Sequence, residues 1–132
     1  MNTRTKPVNT KEILSRYAAG QRDFSNLNLI AVNFRSVNLA GINLSGANLT
    51  KANLTRTNLS YANLTGAILT AATLTETNLT RANLTEANLS DTNLNEATLS
   101  HTHVKGAILP NGVSSNVISN RSKLPQALNS IF

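Results

Sequence analysis

The sequence predicts an all-β solenoid with an N-terminal α-helical cap and a short C-terminal tail or helix. Three observations carry this reading. A large apolar residue recurs at every fifth position over about two-thirds of the chain. A period of five suits neither a helix nor a straight strand. Both ends break the period and hold most of the net charge of +6. At 132 residues the chain fits one domain. It contains no Cys and no Trp, which excludes a disulfide scaffold, a Cys-ligated zinc site, an iron–sulfur centre and a thiol nucleophile. No apolar run has the length of a membrane helix, and Met1 to Gly20 lacks the apolar core of a secretory signal, so a cytoplasmic protein without a membrane partner is expected.

Residues 1–21 are read as an arm and a capping helix. Asn9 is placed to N-cap, Glu12 stands three residues on as in a capping box, and Gly20 stands where a helix C′ residue belongs. Ile13, Leu14, Tyr17 and Ala18 form one apolar stripe. A stacked solenoid leaves open backbone edges, and a helix at residues 9–19 is suited to cover the first one.

Residues 22–111 hold the repeat. Its centres run Phe24, Leu29, Phe34, Leu39 and then Leu every fifth residue to Leu99, followed by Val104 and Leu109. Two residues before the centre stands Ala at nine repeats and Thr at four, after Leu27, Val32, Val37 and Ile42. Asn precedes the centre in 12 of the 18 repeats, and Ser or Thr follows it in 12. In a helix, successive centres would land about 140° apart and cover every face. In a straight strand they would alternate between faces. The remaining solution turns the chain by a fixed angle at each repeat. The centre and the residue two before it then point inward, and the other three point out. Asn fits such corners because it tolerates turn dihedrals and bonds nearby backbone, and stacked Asn and Thr can also form ladders along the axis. Gly41, Gly46, Gly66 and Gly106 in the fifth position suit corners with positive φ.

The run Ala47-Asn48-Leu49-Thr50-Lys51, Ala52-Asn53-Leu54-Thr55-Arg56, Thr57-Asn58-Leu59-Ser60-Tyr61 resembles the A(N/D)LXX motif of the pentapeptide-repeat family. Glu12 to Ser25 is similar to the start of small cyanobacterial members. The resemblance implies a right-handed quadrilateral β-helix with four repeats per coil, hence about four and a half coils here. Some members are DNA mimics that bind DNA gyrase and protect it from inhibitors. That role needs a long, strongly negative rod, whereas this column is short and close to neutral.

Residues 112–132 follow the turn signal Pro110-Asn111-Gly112 and are read as a tail. Leu124, Leu128, Ile131 and Phe132 are spaced for a short terminal helix that caps this column or a neighbour's.

No catalytic, cofactor-binding or metal-binding residue is assigned. His101 and His103 point outward, and a metal would need a third ligand. Glu76, Glu86, Asp91 and Glu96 occupy convex outward positions, with Glu76 stacked beside Arg56 and Glu96, and no pocket there would shift a pKa for acid–base work. Residues 22–111 carry six basic and five acidic residues, and the other +5 lies in the ends, in Arg4, Lys6, Lys11 and Arg16 against Glu12, plus Arg121 and Lys123. The function expected is therefore a non-enzymatic protein-binding or scaffold module, as monomer or end-to-end homodimer. The alternative is a nucleic-acid-associated protein that uses its basic termini. A twenty-residue coil stacks Tyr61, Arg81 and His101 on one outward corner, residue types favoured in binding hot spots, and this corner is the candidate partner site.

Overall fold

The computed structural model describes residues 8–111 and 113. Parallel β-bridges join residues twenty apart, from Asp23 with Asn43 to Asn88 with Ile108, so four repeats complete one coil. The first face stacks the centres Phe24, Leu44, Leu64, Leu84 and Val104; the second Leu29, Leu49, Leu69, Leu89 and Leu109. The third stacks Phe34, Leu54, Leu74 and Leu94, and the fourth Leu39, Leu59, Leu79 and Leu99.

Each repeat closes by the same local chemistry. The N–H two residues before a centre donates to the carbonyl of the previous centre, from Val32 to Leu29 through to Ala107 to Val104, at 2.9–3.3 Å. Corners from Asn26 to Gly106 all hold φ between 57° and 73°. Positive φ is thus the rule at every corner, including those occupied by Lys51, Arg56, Tyr61 and Glu76. An L-residue in this region is disfavoured by roughly 1–2 kcal/mol, and the corners from Asn26 to Glu86 are held by bonds from their N–H groups to the next coil. The corner N–H of Lys51 donates to Thr70 O at 2.9 Å, and the centre N–H of Leu54 to Thr73 O at 2.8 Å.

All twelve Asn residues that precede a centre act alike. Each accepts, through Oδ1, the N–H two residues on, at 2.9–3.1 Å. Where Ser45, Thr50, Thr80, Thr85 or Ser90 follows, its hydroxyl donates to the same oxygen. The Asn oxygen is spent on its own turn, not on an axial ladder; stacked hydroxyls meet at Thr70 and Ser90, 3.4 Å apart. Asp23 plays the Asn part in the first repeat. The hydroxyl and then the N–H of Ser25 donate to its Oδ1 and hold this carboxyl below the usual carboxylate range.

The interior is the stack of centres and their partners, with every Leu centre from Leu29 to Leu99 buried. Thr replaces Ala inside because its hydroxyl finds a carbonyl. Thr57 donates to Phe34 O and Thr77 to Leu54 O, both at 2.6 Å in the coil below. Among the described residues, no buried side-chain nitrogen or oxygen lacks a partner.

Helix α1 (Thr10–Ala18) closes the first coil. Asn9 accepts from Lys11 N–H at 2.7 Å. Glu12 does not complete a capping box; it pairs with Arg16 one turn along the exposed side. At the other end Gly20 N–H donates to Tyr17 O and Gln21 N–H to Arg16 O, a Schellman pair that needs the φ of 105° at Gly20. Ile13 is fully buried and Leu14 and Tyr17 are half-buried, while Ala18 stays exposed, so the docked stripe is one residue narrower than expected. Three carbonyls on the open edge of the first coil find donors from this segment. Val8 N–H reaches Asn28 O at 3.0 Å, Tyr17 Oη reaches Ala40 O at 2.6 Å and Gln21 Nε2 reaches Asp23 O at 2.9 Å. Arg22, though two before a centre, does not turn inward. Its guanidinium lies 3.8 Å from the centre of the Tyr17 ring, outside the column. The expected helix over Leu124, Leu128, Ile131 and Phe132 lies outside the described residues, as do Arg4, Lys6, Arg121 and Lys123.

Candidate functional site

The twenty-residue register sorts the outward corners into four columns. Between the fourth and first faces stand Gly41, Tyr61, Arg81 and His101, all in the left-handed region. Tyr61, Arg81 and His101 are all exposed, Tyr61 by 65%. With coils about 4.8 Å apart, these three side chains rise from one ridge within reach of each other. The cation packed on a ring among the described residues is Arg22 on Tyr17, so Arg81 does not cover the Tyr61 face. His103, on the first face, is also exposed, and no three His, Asp or Glu residues gather to hold a metal among the described residues.

The other corners differ in kind. Between the third and fourth faces Arg56 Nε and Glu76 Oε1 pair at 2.9 Å, as the stacking arithmetic expects. Both remain about half exposed, so the pair contributes little. Between the first and second faces come Asn26, Gly46, Gly66, Glu86 and Gly106, a nearly bare edge. Between the second and third stand Ala31, Lys51, Ala71 and Asp91.

One surface escaped the sequence reading. Of the four exposed large hydrophobic residues among the described residues, Ile30, Ile68 and Ile108 all lie on the second face, and Tyr61 is the fourth. The signal was present in the repeat: Ile68 and Ile108 stand where Asn is the rule, and there the turn-forming oxygen is absent.

Residues 33–70 and 72–111 match the family model for pentapeptide repeats, in eight copies. The chain belongs to the pentapeptide-repeat family. Members form right-handed quadrilateral β-helices, the architecture that the four-repeat coil describes. Among solved structures, the chain is similar to the pentapeptide repeat protein Rfr23 of the cyanobacterium Cyanothece 51142, with a TM-score of 0.65 and 38% identity, covering 68% of this chain and 60% of that one. It is similar also to HetL of Nostoc sp. strain PCC 7120, a pentapeptide repeat protein involved in regulation of heterocyst differentiation, with a TM-score of 0.59 and 35% identity over 76% of this chain and 46% of that one. A pentapeptide repeat protein of the Arabidopsis thaliana thylakoid lumen follows at a TM-score of 0.53 and 32% identity, over 65% of this chain and 57% of that one. The chain therefore spans less than two-thirds of each of these three. No curated protein matches its sequence. Among the described residues, no helix is long and apolar enough to cross a membrane.

Proposed function

We propose that this pentapeptide-repeat chain is a non-enzymatic, cytoplasmic protein-binding or scaffold module whose partner docks on the Tyr61–Arg81–His101 ridge. Its organisation in this reading is an arm and cap over 1–21, a column of about four and a half coils over 22–111, and a tail over 112–132. The observation that supports it most is the register, which collects an exposed Tyr, an Arg and a His on one corner while the other three carry small or polar residues and charges, with no aromatic side chain. Tyr and Arg offer large contact area and several hydrogen bonds, and both are enriched among binding hot spots. Binding without chemistry also agrees with a convex surface whose buried polar atoms all have partners among the described residues.

The test is affinity capture from native cytosol with the full chain and with a Tyr61→Ala, Arg81→Ala, His101→Ala triple variant of unchanged melting. Loss of the captured protein with the triple variant supports the ridge. Equal recovery of the same partners by both chains sinks it. A nuclease-treated arm separates the reading that rests on the charge of the termini. Capture that disappears with nuclease and with added salt assigns the activity to nucleic acid held by the basic ends.

A further inference from the structure

We propose that the second face is a self-association surface, on which a second copy of the chain packs side by side and antiparallel. The surface is bounded by the bare Gly46–Gly66 edge and the Lys51–Asp91 corner, so it does not touch the Tyr61 ridge and does not rest on that reading. It holds three of the four exposed large hydrophobics among the described residues, Ile30, Ile68 and Ile108. At 68 and 108 the sequence gives up the Asn that closes the turn elsewhere and places an apolar side chain outward instead. Local rules are broken where something other than the fold is being served.

The pattern is self-complementary. The face runs through five coils: Ile30 in the first, Lys51 in the second, Ile68 and Ala71 in the third, Asp91 in the fourth and Ile108 in the fifth. A two-fold axis lying across the face at the level of Ile68 reverses the second column and keeps each corner opposite its own equivalent. Ile68 then meets Ile68 of the other copy, Ile30 meets the end that carries Ile108, and Lys51 meets Asp91, twice over. Self-complementarity of this kind is what an isologous interface requires. Lys51 and Asp91 are exposed, and neither forms an ion pair among the described residues. The parallel arrangement fails on the same residues. It would set Lys51 against Gly46 and Asp91 against Glu86 of the other copy, one charge unmatched and two alike. The face is about 20 Å tall at about 4.8 Å per coil and about 10 Å wide at three extended residues per side, so it offers about 200 Å², well below the roughly 800 Å² per partner of a stable complex, and the association is weak and reversible.

Sedimentation equilibrium of the full chain, from about 10 μM to about 1 mM, covers the affinity range of so small an interface. A reversible monomer–dimer equilibrium that weakens with salt is expected. Lys51→Glu alone and Asp91→Lys alone each turn two attractions into two repulsions and lower the association constant about tenfold or more. Mixed in equal amounts, the two variants form both pairs again and associate as a heterodimer. The fold tolerates these changes, since Glu76, Glu86 and Lys51 already occupy the same left-handed corner position. A wild-type chain that stays monomeric at the highest concentration overturns the proposal. So does a dimer that both single variants retain at full strength, or a mixture no more associated than its components.

Discussion

Leu64 and Tyr61 stand three residues apart, one with none of its surface in contact with solvent and the other 65% exposed. The inner and outer surfaces they belong to are made by the same five-residue unit, yet they obey different rules. Inside, each repeat repeats its neighbour: Leu on Leu, Ala on Ala, and a Thr where a backbone carbonyl accepts its hydroxyl, in the coil below for Thr57 and Thr77 and in its own coil for Thr92. Outside, the backbone is just as regular, with φ near 60° at every corner, but the side chains at those corners share nothing. The difference teaches that repetition carries the fold, whereas individuality, where it occurs on this surface, is available for recognition.

The comparison can be broken most severely at the end of the column. Removing residues 1–20 takes away Ile13 and Tyr17 and the donors to Asn28 O and Ala40 O, and uncovers Phe24 and Leu29. Association or precipitation is expected, with the far-ultraviolet β signature retained; a truncated chain that remains monomeric and equally stable would show that this segment is no cap. Next in size is Leu64→Ala, expected to cost roughly 2–5 kcal/mol in denaturant unfolding through lost burial and a cavity. On the outer layer, Asn78→Ala removes the acceptor for both the N–H and the hydroxyl of Thr80 and is expected to cost about 1 kcal/mol. The reverse change, Ile68→Asn, should gain about 0.5–1 kcal/mol by supplying the missing acceptor for Thr70 N–H. Smaller still is Ala71→Gly, whose relief of a φ of 62° should outweigh the added freedom of the unfolded chain by about 0.5 kcal/mol. The smallest effect belongs to Thr65→Ala, below about 0.5 kcal/mol. Equal losses for Leu64→Ala and Thr65→Ala would mean that the assignment of inward positions is wrong.

Much of this was legible in the sequence because period and burial are one fact here. A Leu every fifth residue with Ala two before it permits one inward register, and the helix at residues 9–19 announced itself through Asn9 and Gly20. The fates of Glu12, Ala18 and Arg22 were not legible. Each depends on which of several nearby groups a side chain meets in three dimensions, Arg16 for Glu12 and the Tyr17 ring for Arg22. Positive φ was foreseen where Gly stands, but not at Lys51 or Tyr61, since nothing in those side chains favours it; the carbonyls of the next coil impose it. The Tyr61 ridge followed from the coil length alone. The second face did not, because Ile30 stands one residue after its centre and Ile68 and Ile108 one before, so no single repeat position collects them.

The bridge spacing of twenty has a consequence for how such a chain can change length. Duplicating one five-residue unit leaves the interior satisfied, since any repeat can stand above any other. It also rotates everything downstream by a quarter turn, moving Arg81 and His101 off the ridge of Tyr61 and parting Asp91 from the column of Lys51. Duplicating four units restores the alignment and adds a storey. Growth by whole coils therefore preserves surface constellations, while growth by single repeats reshuffles them at little expense to folding, a ready source of new surfaces on an unchanged interior.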